Sequence, residues 1–235
     1  MTLAAAVARV WSTGLDQLLP PRCGVCGGFG SLLCGRCIAA LPAAAEKRCA
    51  RCWQAYASGE CPRCAEYGCE CTAIRAPFVY RDGARKLVTA VKYGGQYALA
   101  APMAELLAAA WREWHLAAQI VVPVPLHPRR QRTRGFNQAE KLATGLARAV
   151  NLARAPELLL RQRATAAQAG MISAGERRAN IYGAFACTDE ERVKGARILL
   201  VDDVTTTGAT LGACADVLFQ AGAEAVYGLA FAVAG

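Results

Sequence analysis

The sequence predicts an α/β domain, a mostly parallel sheet flanked by helices, preceded by a small cysteine-rich module. Three observations carry this reading. After Cys71, short apolar runs alternate with longer stretches of helical spacing. Ten of the twelve cysteines fall between Cys23 and Cys71 and begin as four Cys-x2-Cys pairs. Near the C-terminus, four apolar residues, two aspartates, a run of threonines and a glycine stand in the order strand, turn, helix. The division is placed at residues 1–72 for the cysteine-rich module and 73–235 for the α/β domain.

Hydrophobic residues make up 54% of the 235 and charged residues 19%, enough apolar material for a core and too little charge for a disordered chain. No apolar run reaches the roughly 18 residues that span a bilayer. The stretch 98–111 comes nearest, and Glu105 interrupts it. Met1–Leu19 is mildly apolar, but Arg9 sits inside the apolar stretch and Asp16 follows without a small-residue cleavage pattern. A short amphipathic packing helix is expected there, not a signal peptide, and a cytoplasmic location follows.

The pairs in the head are Cys23/Cys26, Cys34/Cys37, Cys49/Cys52 and Cys61/Cys64, with Cys69 and Cys71 behind. A two-residue gap lets a tight turn aim two thiolates at one tetrahedral ion, so four halves make two structural zinc sites. A disulfide framework would need an oxidising compartment. The segment is too short to bury much core, so metal must supply folding energy, on the order of 10 kcal/mol per site. Sequential pairing is the simplest choice, although interleaved pairing satisfies the same spacings, and Cys69 and Cys71 are either substitute ligands or packing residues. Cys187 and Cys214 stand alone and read as small buried hydrophobes.

Beyond Cys71 the expected elements are a strand at Ile74–Tyr80, helices at Arg85–Tyr93 and Tyr97–Trp114, and a buried strand at Ile120–Val124. A helix follows at Phe136–Val150, then strands at Leu158–Leu160 and Arg197–Val201. A helix from about Gly208 to Gln220, stopped by Gly222, leads into a last strand at Ala225–Val233. Residues 161–185 are polar and turn-rich, too long for a plain connector, and read as a functional lid. Trp11, Trp53, Trp111 and Trp114 are expected to pack the core and the domain junction.

The most informative stretch is Ile198-Leu199-Leu200-Val201-Asp202-Asp203-Val204-Thr205-Thr206-Thr207-Gly208-Ala209-Thr210. A buried strand ends at the carboxyl edge of the sheet, where open α/β folds bind ligands. Backbone amides at the helix start favour a phosphate. Thr206, Thr207 and Thr210 add hydroxyl donors, and Gly208 lets the backbone approach closely. Asp202 and Asp203 cannot bind phosphate. They suit accepting hydrogen bonds from two ribose hydroxyls, or steadying Mg²⁺ and positive charge at a reacting sugar carbon.

This stretch resembles the phosphoribosyl pyrophosphate signature of type I phosphoribosyltransferases, and the whole chain resembles the ComF family. The four Cys-x2-Cys pairs are followed by Phe78 and Tyr80, Val91-Lys92-Tyr93, Val122-Pro123-Val124-Pro125 and Arg134-Gly135-Phe136-Asn137-Gln138. Then come Thr165, Gln168, Arg177, Asn180 and Phe185, ahead of the phosphate loop. Cys69 and Cys71 are extra, and Gly170-Met171-Ile172 replaces the usual apolar anchor. The resemblance implies a type I phosphoribosyltransferase-like fold with an N-terminal zinc domain. It implies phosphoribosyl pyrophosphate held by Val204, Thr205, Thr206, Thr207, Gly208, Ala209 and Thr210, with Asp202 and Asp203 as the catalytic pair. The loop carrying Arg130, Arg134 and Gly135 would hold pyrophosphate, with Mg²⁺.

Charge supports that placement independently. Between Ile120 and Asn180, eleven basic residues face three acidic ones, a surplus of eight in a chain of net charge +9. Such concentration suits a polyanion, although a solvated basic face has the same composition. Guanidinium forks stabilise a leaving pyrophosphate better than ammonium groups do. Arg129, Arg130 and Arg132 alternatively reach a nucleic-acid backbone, while Lys92, Arg177 and Arg178 divide between ligand contact and plain surface. His127 touches phosphate or, more simply, is structural; no Ser-His-Asp arrangement is present.

Two functions of different class follow. One is a transferase moving a phosphoribosyl group to an acceptor the sequence does not name. The other is a non-catalytic single-stranded-DNA-binding or adaptor protein, which the resemblance places in DNA uptake and natural transformation beside competence-machinery proteins.

Overall fold

The computed structural model describes residues 20–163, 181 and 183–234. The expected N-terminal helix and most of the 161–185 lid, including Thr165, Gln168, Gly170-Met171-Ile172, Arg177, Arg178 and Asn180, lie outside the described residues.

Two short helices, α1 (Gly35–Ala39) and α2 (Pro62–Tyr67), punctuate the cysteine-rich segment. Strands β1 (Ala73–Arg75) and β2 (Phe78–Val79) follow, then helices α3 (Asp82–Tyr93) and α4 (Ala100–Trp114). The expected strand at 74–80 is split because Pro77 has no amide to donate to its neighbour. Strand β3 (Ile120–Pro123) leads to α5 (Pro128–Arg134), α6 (Gln138–Val150) and β4 (Ala153–Arg154). Strands β5 (Leu159–Arg161) and β6 (Phe185–Cys187) pair antiparallel outside the main sheet. Helix α7 (Glu190–Val193), β7 (Arg197–Thr205), α8 (Ala209–Gln220) and β8 (Ala225–Val233) complete the described chain.

The main sheet runs β1-β8-β7-β3-β4, with β2 also on β8, and every pairing in it is parallel. Helices α3, α4 and α6 cover one face through Leu87, Val91, Met103, Leu107, Leu142 and Leu146, packed on Leu199, Val201 and Phe231. Gly145 on α6 lets that helix approach α4 so closely that a Cβ would lie 2.5 Å from the Ala104 side chain. Helix α8 covers the other face through Leu211, Cys214 and Leu218 against Ile198, Leu200 and Val226. The crossovers diverge from β3 and β7 to opposite faces, which makes that boundary the switch point where such sheets open a crevice.

The cysteine-rich segment shares these two cores. Cys23 and Cys37 pack with the α3/α4 side, whereas Cys49, Cys52, Cys61, Cys69 and Cys71 pack with the α8 side. Trp53 sets its ring edge against Trp114, 5.2 Å between centroids.

Candidate functional site

Strand β7 is longer than its apolar run. The sequence reading ends it at Val201, but it continues through Asp202, Asp203, Val204 and Thr205 because β8 supplies partners as far as Val233. Strand β3 stops earlier, with Pro123 opposite Val201. The last four residues of β7 therefore overhang the sheet's carboxyl edge on that side, and the aspartates sit on the overhang.

Alternation along a strand then sends two consecutive side chains to opposite faces. Asp202 is half-buried and lines a cavity of about 410 Å³ with Tyr80, Lys92, Tyr93, Thr206, Gly208 and Thr210. Val204, Thr205 and Ala209 line it too. Asp203 points to the α3 side, is 4% exposed, and meets the ammonium of Lys92 at 2.9 Å.

The electrostatics follow from burial. Desolvation, then the neighbouring charge of Asp203, pushes the Asp202 carboxyl up to about 7, against opposing pulls from Lys92 and from the Asp203 amide that donates to it at 2.8 Å. Burial alone would lower the Lys92 ammonium; the Asp203 carboxylate outweighs it and holds Lys92 above its ordinary value. Buried Arg161 lies near enough to affect Asp202, and desolvation, with Arg130 next, lowers its own value.

The turn after β7 is shaped by Gly208, whose φ of 75° lies in the left-handed region. A Cβ there would also stand 2.8 Å from Ile74 Cδ1. The Thr207 hydroxyl oxygen accepts from the Ala209 amide at 3.4 Å. Helix α8 begins immediately, so its first amides, which lack intrahelical partners, face the turn.

A second cavity, of about 560 Å³, adjoins the first, since Lys92 and Tyr93 line both. Its other walls are Gly95, Tyr97, Arg129, Arg130, Thr133, Arg134 and Phe136. The expected basic loop is in fact helix α5. Pro128 fits its first turn, the His127 ring nitrogen accepts from the Arg129 amide at 3.2 Å, and Gly135 ends it with φ 81°. His127 is thus a cap. Gly135 sits between α5 and α6 and does not line the cavity, while Arg134 reaches Gln138 Oε1 at 2.7 Å and lies over the Tyr93 ring. Next to it, Tyr97 and Phe136 meet edge to face, 4.4 Å between centroids. The sequence reading left out Tyr93, Tyr97 and Phe136 as cavity walls; the exposure of Tyr93 (74%) and Tyr97 (49%) has no signature in spacing.

The four Cys-x2-Cys pairs combine sequentially: Cys23, Cys26, Cys34 and Cys37 form one group, Cys49, Cys52, Cys61 and Cys64 the other. In each, the sulfurs lie within 4.8 Å of one another. A tetrahedral ion with metal–sulfur bonds of about 2.3 Å requires sulfur–sulfur edges of about 3.8 Å. The separations of 3.9 Å for Cys26–Cys34, 3.7 Å for Cys49–Cys64 and 3.6 Å for Cys52–Cys61 fit that edge. All eight are free thiols, as are Cys69 and Cys71, which stand outside both groups and are buried. Without an ion the thiols of each group split: burial pushes Cys23, Cys37, Cys49, Cys52 and Cys64 up, nearby backbone amides outweigh it at Cys23 and Cys49, and Cys37, Cys52 and Cys64 stay raised. The sulfur geometry is what suits each group to an ion. Both groups can therefore hold an ion.

Fold and site together define an α/β protein with an acid- and hydroxyl-lined pocket opening into a basic, aromatic one, built on a double four-cysteine module. The chain belongs to the ComF family. It is 30% identical over 220 residues to the DNA utilization protein YhgH of Escherichia coli K12, covering 92% of this chain and 84% of that one. It is 34% identical over 152 residues to competence protein F of Haemophilus influenzae, covering 61% and 66%, and 30% identical to competence protein ComFC of Streptococcus pneumoniae, covering 83% and 85%. No protein-family model matches. Among solved structures, the allosteric regulatory enzyme of purine biosynthesis is 21% identical, with 55% of this chain and 25% of that one covered and a TM-score of 0.39. Hypoxanthine phosphoribosyl transferase of Trypanosoma cruzi is 14% identical, with 57% and 62% covered and a TM-score of 0.33. Among the described residues no helix is long and apolar enough to cross a membrane.

Proposed function

We propose that this chain is a type I phosphoribosyltransferase-type protein that binds phosphoribosyl pyrophosphate across the two joined cavities. The observation that carries the reading is their continuity through Lys92 and Tyr93, which sets a hydroxyl- and amide-rich end beside a guanidinium-rich end. The turn 204–210 suits the sugar's 5-phosphate, because Thr206 and Thr210 add donors to the amides at the start of α8. Asp202 is placed for the ribose hydroxyls. Arg130 and Arg134 suit the pyrophosphate, with Gly135 setting the direction in which α5 hands over to α6. Asp203 serves through Lys92, holding that ammonium between the two ends.

Bound Mg²⁺ would supply charge neutralisation for the pyrophosphate, and Asp202 is the cavity-lining carboxylate suited to it. In a transfer, an acceptor nucleophile bonds to the sugar's C1 as the C1–oxygen bond breaks and its electron pair leaves with pyrophosphate. Charge placement and positioning do the work, without a dedicated base. The two four-cysteine groups are read as structural zinc sites, closed by four thiolates each. Residues 1–72 and 73–235 then serve as metal module and ligand domain.

The basic, aromatic second cavity supports another reading: single-stranded DNA tracking past Arg129 and Arg130 and stacking on Tyr93 and Tyr97. The relatives' names, competence and DNA utilization, favour a place in DNA uptake alongside other proteins of that machinery. Calorimetry of the zinc-loaded protein with phosphoribosyl pyrophosphate and Mg²⁺ decides between them. Saturable heat, weakened by Asp202→Asn and Arg134→Gln, supports the first reading. No heat at millimolar ligand overturns it, and salt-sensitive binding of single-stranded DNA that falls on Arg129/Arg130 neutralisation then supports the second.

A further inference from the structure

The second four-cysteine group lies against the back of the phosphate turn. Gln54, two residues beyond Cys52, donates its side-chain amide to the carbonyl oxygen of Thr206. Its backbone is tied to the same four-cysteine group: the Cys49 amide donates to the Gln54 carbonyl at 2.9 Å. Arg63, between Cys61 and Cys64, places its guanidinium 3.6 Å from where a Gly208 Cβ would be, while donating to the Gly68 carbonyl at 2.8 Å. The Ile74 amide donates to the Arg51 carbonyl at 2.6 Å, fixing the side chain that meets Gly208 from the same side. The first group works elsewhere: it braces the residue before α4 and the start of α3, with Gly24 against Leu99 and Val25 against Gly83.

We infer that Gln54 is a positioning residue for the phosphate turn, through which the Cys49–Cys64 metal knuckle is thermodynamically linked to ligand binding. The inference rests on the phosphoribosyl reading and adds to it a partner for the turn. A carbonyl at Thr206 that is tied down holds the turn's amides facing the cavity, so less ordering remains for the ligand to impose. Linkage is reciprocal: a ligand that orders the turn must tighten the knuckle as well.

The test combines ligand affinity with ligand-dependent hydrogen exchange on zinc-loaded protein, using phosphoribosyl pyrophosphate with Mg²⁺ as the probe. In the parent chain the ligand is expected to protect amides of 203–210 and, through Gln54, those of 49–57. Gln54→Ala, with its metal content unchanged, is expected to bind about fivefold more weakly, the worth of one hydrogen bond. It should keep protection at 203–210 and lose it at 49–57, a separation that a merely structural role would not produce. Gln54→Glu keeps the length but swaps a donor for an acceptor facing a carbonyl, and should weaken binding further. Should the parent bind the ligand with no protection at 49–57, or both variants bind as the parent does, the linkage is refuted while the phosphoribosyl reading stands. Absence of any binding by the metal-loaded parent refutes both.

Discussion

Replacing Lys92 with Met isolates the interaction that fixes α3 to the end of β7. The ammonium and the Asp203 carboxylate lie 2.9 Å apart, with side chains 20% and 6% exposed. Removing one partner of a fully buried pair costs about 3–5 kcal/mol, because the other charge is left without compensation. Water reaches the lysine end here, so the lower bound, about 3 kcal/mol, is expected. For a chain of this size that corresponds to a melting temperature lower by about 6–12 °C. Asp203→Asn should cost less, since Lys92 can turn toward solvent, and the double variant should lose about 2 kcal/mol less than the two single losses summed, which is the coupling energy. The sign with pH is also fixed. Lys92 is raised above its ordinary value, so the pair's contribution is complete below that value and is lost as pH rises through the raised one, well above neutrality. The assay is thermal unfolding of zinc-loaded, ligand-free protein for all four species. A Lys92→Met melting point within about 2 °C of the parent, with no coupling in the cycle, would refute the reasoning.

Three further outcomes are expected. The Asp202 carboxyl, raised from 3.8 to about 7, binds its proton more tightly folded than unfolded, so stability should fall as pH rises from about 4 to about 7. Asp202→Asn should remove that part of the slope, which urea unfolding at pH 5 and pH 8 would show. Metal analysis of protein purified without chelator under reducing conditions should give two zinc ions per chain, and a strong chelator should unfold residues 20–72 first; fewer than one zinc per chain would contradict the zinc reading. Gly208→Ala combines a left-handed φ of 75° with a contact at 2.8 Å to Ile74, and should cost about 2 kcal/mol in denaturant unfolding, partly recovered by Ile74→Val.

Elements whose signals are local were legible in the sequence. Strand β8 falls at Ala225–Val233 as its apolar run predicts, and α8 ends at Gln220 before Gly222, whose φ of 88° is the expected stop. Helix α5 carried local signals too, in Pro128 at its start and Gly135 at its end, but four arginines on an otherwise polar stretch hid any helical period. What spacing could not supply was anything set by a distant partner. The four Cys-x2-Cys pairs are alike in sequence, so spacing offers sequential combination as the simplest choice without deciding it; the packing of each group on a different face of the sheet decides it. The contact of Gln54 with Thr206 spans 152 residues and has no pattern at either end.

The same distinction separates the paired aspartates. As a sequence, Asp202-Asp203 invites one role for two like groups. In the fold, β8 extends the strand through them, and a strand cannot present neighbours to the same side. One carboxyl consequently faces the cavity with its charge suppressed by burial, and the other faces α3 with its charge matched by Lys92. Substituting Asp202 should act on the pH dependence and on ligand contact. Substituting Asp203 should act first on the seating of α3, and on the ligand only through where Lys92 then goes. A loss of binding common to both variants would not establish a shared role; the unfolding midpoint and its slope with pH are the quantities that separate them.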